Sequence, residues 1–151
     1  NRWETQDALE ALLHRGRIGL VDRRSRAIWE FTQAFDKCPG DFMHTSGEGW
    51  GDFRNRLVKR LYGIGLAKVS FSFEMCYPIA CRTVCIDTHI MQMYGVNPKK
   101  GINKSEYNEA EAHWLDTCDG LAYPPAMVRH VLWDKRQNKR NTRYWSHVLE
   151  N

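Results

Sequence analysis

Leu61-Tyr62-Gly63-Ile64-Gly65 constrains the fold of this chain more than any other stretch. It separates two runs with apolar residues at helical spacing: Phe53, Leu57 and Leu61 before it, and the segment Leu66 to Cys76 after it. Two glycines one residue apart carry no Cβ atoms, so the chain can turn sharply between two helices. The same turn lets backbone N–H groups and a helix N-terminus approach an anion such as a phosphate. A tight helix–helix turn without a ligand would use the same residues, so the turn fixes local structure and leaves its purpose open.

The remaining segments also read as helix. Thr5 is an N-cap for a first helix with Leu9, Leu12 and Leu13 on one face, punctuated by Gly16 and Gly19. Asp22 is expected to cap a second, through Ile28, Trp29, Phe31, Phe35 and Cys38, which Pro39-Gly40 stops. Residues 41–51 have no period and read as a loop, and helical spacing resumes from Asp52 to Arg60. Pro78 ends the helix that follows the glycine turn. Residues 79–86 read as a connector that delivers Asp87 to a helix start, and Tyr94-Gly95-Val96-Asn97-Pro98 closes that helix. Ser105 and Asn108 are cap candidates for a helix through Trp114 and Leu115, ended by Asp119-Gly120. Pro124-Pro125 opens another, with Met127, Val128, Val131 and Leu132 apolar. The basic stretch Lys135 to Arg143 leads into an amphipathic end around Trp145, Val148 and Leu149. These segments predict an all-α fold, one compact domain over 1–151 with two helical lobes around a cleft.

Composition narrows the class. Hydrophobic residues make up 42% of the chain and aromatics 12%, enough for a packed core, so the chain is not a disordered segment. The net charge of +4 is small, so the placement of basic residues matters more than their sum. No run approaches the roughly 18 apolar residues of a membrane span. Asn1-Arg2-Trp3-Glu4 has no apolar signal region, and the absence of Met there leads us to expect a natural start upstream. The five cysteines, Cys38, Cys76, Cys81, Cys85 and Cys118, are an odd set in a chain large enough for a core. They read as reduced thiols in a cytoplasmic or nucleoid protein. Cys76, Cys81, Cys85 and His89 superficially look like metal ligands, but their spacings are not C-x-x-C and small buried thiols explain them more simply.

Two motifs in order carry a resemblance. The first is Leu61-Tyr62-Gly63-Ile64-Gly65-Leu66-Ala67-Lys68-Val69; the second, with Asp87 lying 22 residues after Gly65, is Ile86-Asp87-Thr88-His89-Ile90. The first resembles the L-P-G-V-G-x-K-T-A hairpin of the helix-hairpin-helix (HhH-GPD) DNA glycosylase superfamily, and the second is similar to its V-D-T-H-V/I segment. The resemblance covers roughly residues 50 to 95, with the hairpin element at about 52–76. It implies a monomeric base-excision glycosylase that takes double-stranded DNA with an extruded base. Asp87 is then the catalytic aspartate, stabilising oxocarbenium character at C1′ and orienting or deprotonating water. Tyr62, Gly63, Ile64, Gly65, Ala67, Lys68 and His89 are the implied DNA-binding residues. No side-chain metal site is implied, although hairpin carbonyls of the family hold a monovalent cation.

The departures refine the expectation. Bifunctional members place a Schiff-base lysine two residues after the second hairpin glycine. That position is Ala67, and Lys68 follows one residue later. One helical step turns a side chain by about 100°, so Lys68 is expected to point away from a cleft that residue 67 faces. Lys68 stays a candidate catalytic residue, but the rotation favours water as nucleophile. Tyr62 replaces the hairpin proline. Only Cys118 follows Asp87, so the four-cysteine iron–sulfur pattern of the endonuclease III branch is missing and no cofactor is expected. Arg54, Arg56, Lys59 and Arg60, with Arg129, Lys135, Arg136, Lys139, Arg140 and Arg143, suggest a DNA-facing surface, with Glu106, Glu109 and Glu111 facing solvent elsewhere. Two alternatives stay open: a non-catalytic helix-hairpin-helix module in which Asp87 is only a cap, and a base-modifying enzyme of viral DNA. His89, Trp50, Trp114, Tyr123 and Trp133 are stacking candidates for a base pocket, each as readily a core residue.

Overall fold

Proline and glycine punctuation sets most element ends in the computed structural model, which describes residues 4–136. Seven α-helices and one 3-10 turn, with no strand, make up the described residues. The helices are α1 (Gln6–Arg15), α2 (Val21–Lys37), α3 (Trp50–Arg60), α4 (Leu66–Cys76), α5 (Thr88–Met93), α6 (Lys104–Gly120) and α7 (Pro125–Arg136). The fold is therefore all-α. The basic residues Lys139, Arg140 and Arg143 and the end around Trp145, Val148 and Leu149 lie outside the described residues.

The chain divides into two compact units, one running to Gly65 and a second beginning at Leu66. In the first, α1 packs on α2, and Thr5 caps α1 by accepting from the Ala8 N–H at 3.2 Å. Asp22 does not cap α2. The cap position is Leu20, with φ +56° and no side-chain bond, and Asp22 sits in the first turn, where its charge opposes the helix dipole. The 3-10 turn Pro39–Phe42 follows α2 and brings Phe42 against Phe31 and Phe35, with ring centroids 5.3 and 5.7 Å away. Helix α3 starts two residues before Asp52, and Trp50 stacks on His44 at 4.2 Å.

The second unit is built around Val84, Ile86, Ile90, Tyr107, Ala110, Trp114 and Cys118, all buried. Full burial of a side chain of this size contributes about 1.5–3 kcal/mol before entropy is counted. Helix α6 is capped by Asn103, not by Ser105 or Asn108. The Asn103 side chain accepts from the Glu106 N–H and the Glu106 carboxylate accepts from the Asn103 N–H, a reciprocal capping box. Residues 79–86 form no strand ladder, yet Val84, Cys85 and Ile86 are buried. Their backbone N–H groups donate to the side chains of Glu111 (2.7 Å), Glu74 (2.7 Å) and Tyr107 (3.2 Å). Three buried side chains thus do for this connector what a neighbouring strand would otherwise do. Glu111 is consequently buried and does not belong to a solvent-facing acidic surface.

Candidate active site

The connector ends at Asp87, whose backbone is extended (φ −85°, ψ −176°) and whose side chain caps α5. Its Oδ1 accepts from the N–H groups of His89 at 2.9 Å and Ile90 at 3.0 Å. Two bonds to one oxygen lock the rotamer and leave Oδ2 pointing elsewhere. The Oδ2 atom lies 3.3 Å from Nη1 of Arg129, and the side chain keeps 25% of its exposure.

Arg129 comes from α7 and is 2% exposed. Its Nε donates to Oε2 of Glu74 at 2.5 Å, and its guanidinium carbon sits 5.4 Å from the Phe71 ring centroid. Glu74 is fully buried on α4; its other oxygen receives the Cys85 N–H, and Nε2 of His130 lies 3.4 Å from Oε2. Glu74, Arg129 and Asp87 therefore form one chain of contacts from the interior to a partly exposed carboxylate. Nη2 of Arg129 is buried with no hydrogen-bond partner among the described residues.

A cavity of about 310 Å³ opens at Asp87. Its walls are Ala67, Lys68 and Phe71 from α4, Cys85 and Asp87 from the connector, and Arg129 and Trp133 from α7. Lys68 is exposed and lines the same cavity as Ala67, so it does not point away from the space that residue 67 faces. Ridges on a helix are broad, and a long side chain reaches past the 100° step that separates its Cβ from its neighbour's. Trp133 alone of the five stacking candidates lines this cavity, with His89 meeting its ring edge-on at 6.3 Å. Trp50 lies in the first unit, Trp114 is buried in the core of the second, and Tyr123 is 62% exposed. The Cys85 thiol in the cavity wall is pushed up to about 12 by burial, with the Glu74 charge adding to it, so it is held neutral at ordinary pH and is no nucleophile there.

The glycine turn ends the first unit. Gly63 has φ +66°, which strongly favours glycine, and a Cβ there would lie 3.2 Å from Nε of Arg23, so the arginine side chain would have to shift slightly for any larger residue. Gly65 is exposed, and a Cβ there would meet nothing within 4 Å. Its own fold does not demand a glycine, which leaves the backbone open to close approach from outside. Tyr62 is 38% exposed beneath the Arg26 guanidinium, 3.9 Å from the ring centroid. Ile64 is half-buried beside it.

Among the described residues, the basic surface read from the sequence is smaller than expected. Arg54 and Arg129 are buried, Arg56 is tied to Glu48 at 2.7 Å and to the carbonyls of Asp41 and Met43, and Arg60 pairs with Asp41 at 2.7 Å. Lys135 and Arg136 remain exposed at the end of α7, with Arg136 donating to the His89 carbonyl at 3.1 Å. The grouping of His, Cys, Asp and Glu that comes within metal-ligand distance among the described residues is Glu10, His14 and Asp22, not the cysteines with His89. No described helix is long and apolar enough to cross a membrane.

Comparisons with protein-family models, with curated proteins and with solved structures find no match.

Sequence reasoning missed Glu74, Tyr107 and Glu111, which hold the connector, and assigned Arg129 to the surface. One signal was readable: Glu74 is the single charged residue after Lys68 in an apolar helix, one turn from Ser70 on the face that buries Val69 and Phe73. A carboxylate on such a face needs a buried donor, which is what Arg129 supplies.

Proposed function

We propose that this chain is a helix-hairpin-helix DNA N-glycosylase in which Asp87 acts on the sugar of an extruded nucleotide. The observation that supports this best is the position of Asp87: one oxygen fixed by two backbone N–H groups, the carboxylate on a cavity with aromatic walls at Phe71 and Trp133. A flipped base can stack on those rings while its C1′ faces the carboxylate. In the proposed reaction the N-glycosidic electron pair leaves with the base. Asp87 stabilises the positive charge on the sugar, and water activated by the same carboxylate adds at C1′. The glycine turn, with Gly65 open to approach, grips a DNA phosphate, which positions the duplex without reading sequence.

Lys68 on the same cavity favours a second mechanism within this reading. Its amine, as a free base, would attack C1′ as the base leaves with the N-glycosidic electron pair; loss of a proton from the nitrogen and opening of the sugar at C1′–O4′, with O4′ taking up a proton, would then give an imine that permits strand cleavage. Borohydride trapping separates the two: a covalent protein–DNA adduct lost in Lys68→Ala establishes the lysine route, and no adduct with base still released establishes the water route.

The test of the reading itself is mass spectrometry of lesion-bearing duplexes after incubation. Free base released by the wild type and lost in Asp87→Asn supports it. An altered base still attached to the strand points to a base-modifying enzyme, and salt-sensitive binding with neither product points to a DNA-binding module in which Asp87 is only a cap.

A further inference from the structure

We infer that Glu74 is a positioning residue that keeps the Arg129 guanidinium from closing onto Asp87. The inference rests on the reading above, in which the Asp87 carboxylate must meet a developing positive charge. Two carboxylates share one guanidinium, but not equally. Glu74 Oε2 holds Nε at 2.5 Å in the interior, whereas Asp87 Oδ2 stands 3.3 Å from Nη1 at the cavity edge. Coulombic attraction strengthens as distance and local dielectric fall, so the pair with no exposure on the Glu74 side holds Arg129 more firmly.

The consequence is chemical. A carboxylate closed into a tight pair with a guanidinium would have its charge spent in the ground state and little left for a sugar cation. Glu74 sets that balance without lining the cavity. Other charged or titratable groups nearby are His130, 3.4 Å from Glu74 Oε2, and Lys68, Cys85 and His89 around Asp87. Glu74 is bonded both to Arg129 and to the connector that carries Asp87.

The test is a mutant cycle. In Glu74→Gln the amide oxygen can still accept the Cys85 N–H, while the charge that restrains Arg129 is gone. We expect kcat for base release to fall on the order of tenfold or more, with KM changed less than about twofold. The double variant Glu74→Gln/Arg129→Gln removes the released cation and should recover most of that loss. A double variant as poor as the single or poorer overturns the inference, as does an unchanged kcat in Glu74→Gln; recovery is also what a structural pair would give, so the position of Arg129 in the single variant separates the two.

Breaking one side of a buried ion pair can unfold a protein, whereas removing both charges is often tolerated. If Glu74→Gln does not fold, Glu74→Asp, which keeps the charge but withdraws it from Nε, takes its place: the same loss of kcat supports the inference and an unchanged kcat overturns it. A crystal structure of Glu74→Gln gives a readout independent of activity. Nη1 should close on Asp87 Oδ2 to about 2.7–2.9 Å, and a distance that stays at 3.3 Å or lengthens overturns the proposal. Closure in a protein that releases no base from any duplex would defeat the glycosylase reading and leave Glu74's hold on Arg129 standing.

Discussion

Replacing Tyr107 by Phe removes a single oxygen and tests how the segment leading to Asp87 is held. The Tyr107 hydroxyl donates to the Val84 carbonyl at 2.6 Å and accepts from the Ile86 N–H at 3.2 Å, both buried. Ser70 Oγ, 3.4 Å away, is at the limit of a hydrogen bond and is left out of the sum. The ring stays, so no large cavity forms. Each backbone group left without a partner in the interior costs about 1–3 kcal/mol, giving about 2–6 kcal/mol for the pair. Partial relaxation into the vacated space favours the lower half, about 3 kcal/mol. Urea unfolding should show that loss as a lower midpoint at unchanged slope. In a 151-residue chain it corresponds to roughly 6–12 °C in Tm. Tyr94→Phe is the control, because its hydroxyl bonds Nδ1 of His113 at 2.8 Å on an exposed edge and should lose less than about 1 kcal/mol. Equal losses in the two variants would refute the argument that Tyr107 substitutes for a missing strand.

Other expectations follow from the same geometry. Asn103→Ala should destabilise the protein by about 1 kcal/mol and Ser105→Ala by much less, since only Asn103 caps α6; thermal melts compare them directly. Burial pushes the thiols of Cys81 and Cys85 up to about 11 and about 12, so the folded state keeps protons that the unfolded state loses first. Stability should therefore fall as pH rises above the ordinary thiol value of about 8.5, with Cys81→Ala and Cys85→Ala flattening the decline in alkaline melts. Exposed Cys76 should react quickly with a thiol reagent at neutral pH, while Cys81, Cys85 and Cys118 react only as fast as the structure opens. The Arg56 guanidinium beside Glu48 lowers that carboxyl to about 2, so its share of stability is lost as pH falls from the ordinary glutamate range toward 2, and Arg56→Ala should remove that slope.

The parts legible in the sequence were those set by neighbours along the chain. Pro78 and Pro124-Pro125 end or start helices by local sterics, and Asp87 caps the helix that begins one residue later. The capping box Asn103-Lys104-Ser105-Glu106 was also local, but Ser105 and Asn108 are equally good caps on paper. What was not legible depends on pairs distant in sequence. Glu74 and Arg129 are 55 residues apart, and an arginine destined for the interior has the same side chain as one facing solvent. Arg54 misled for the same reason. The 100° rotation that was expected to turn Lys68 away from the cleft considers Cβ direction alone, whereas the reach of a lysine decides whether it lines a cavity.

The most direct measurement of the central claim is base release by Asp87→Asn. Asparagine is as good an N-cap as aspartate, so the helix start and the fold should survive while the carboxylate is lost. Single-turnover assays on a duplex that the wild type cleaves, with binding measured in parallel, should show release slowed on the order of a hundredfold or more and DNA affinity retained. Release by Asp87→Asn at the wild-type rate would contradict the account and reduce Asp87 to a helix cap.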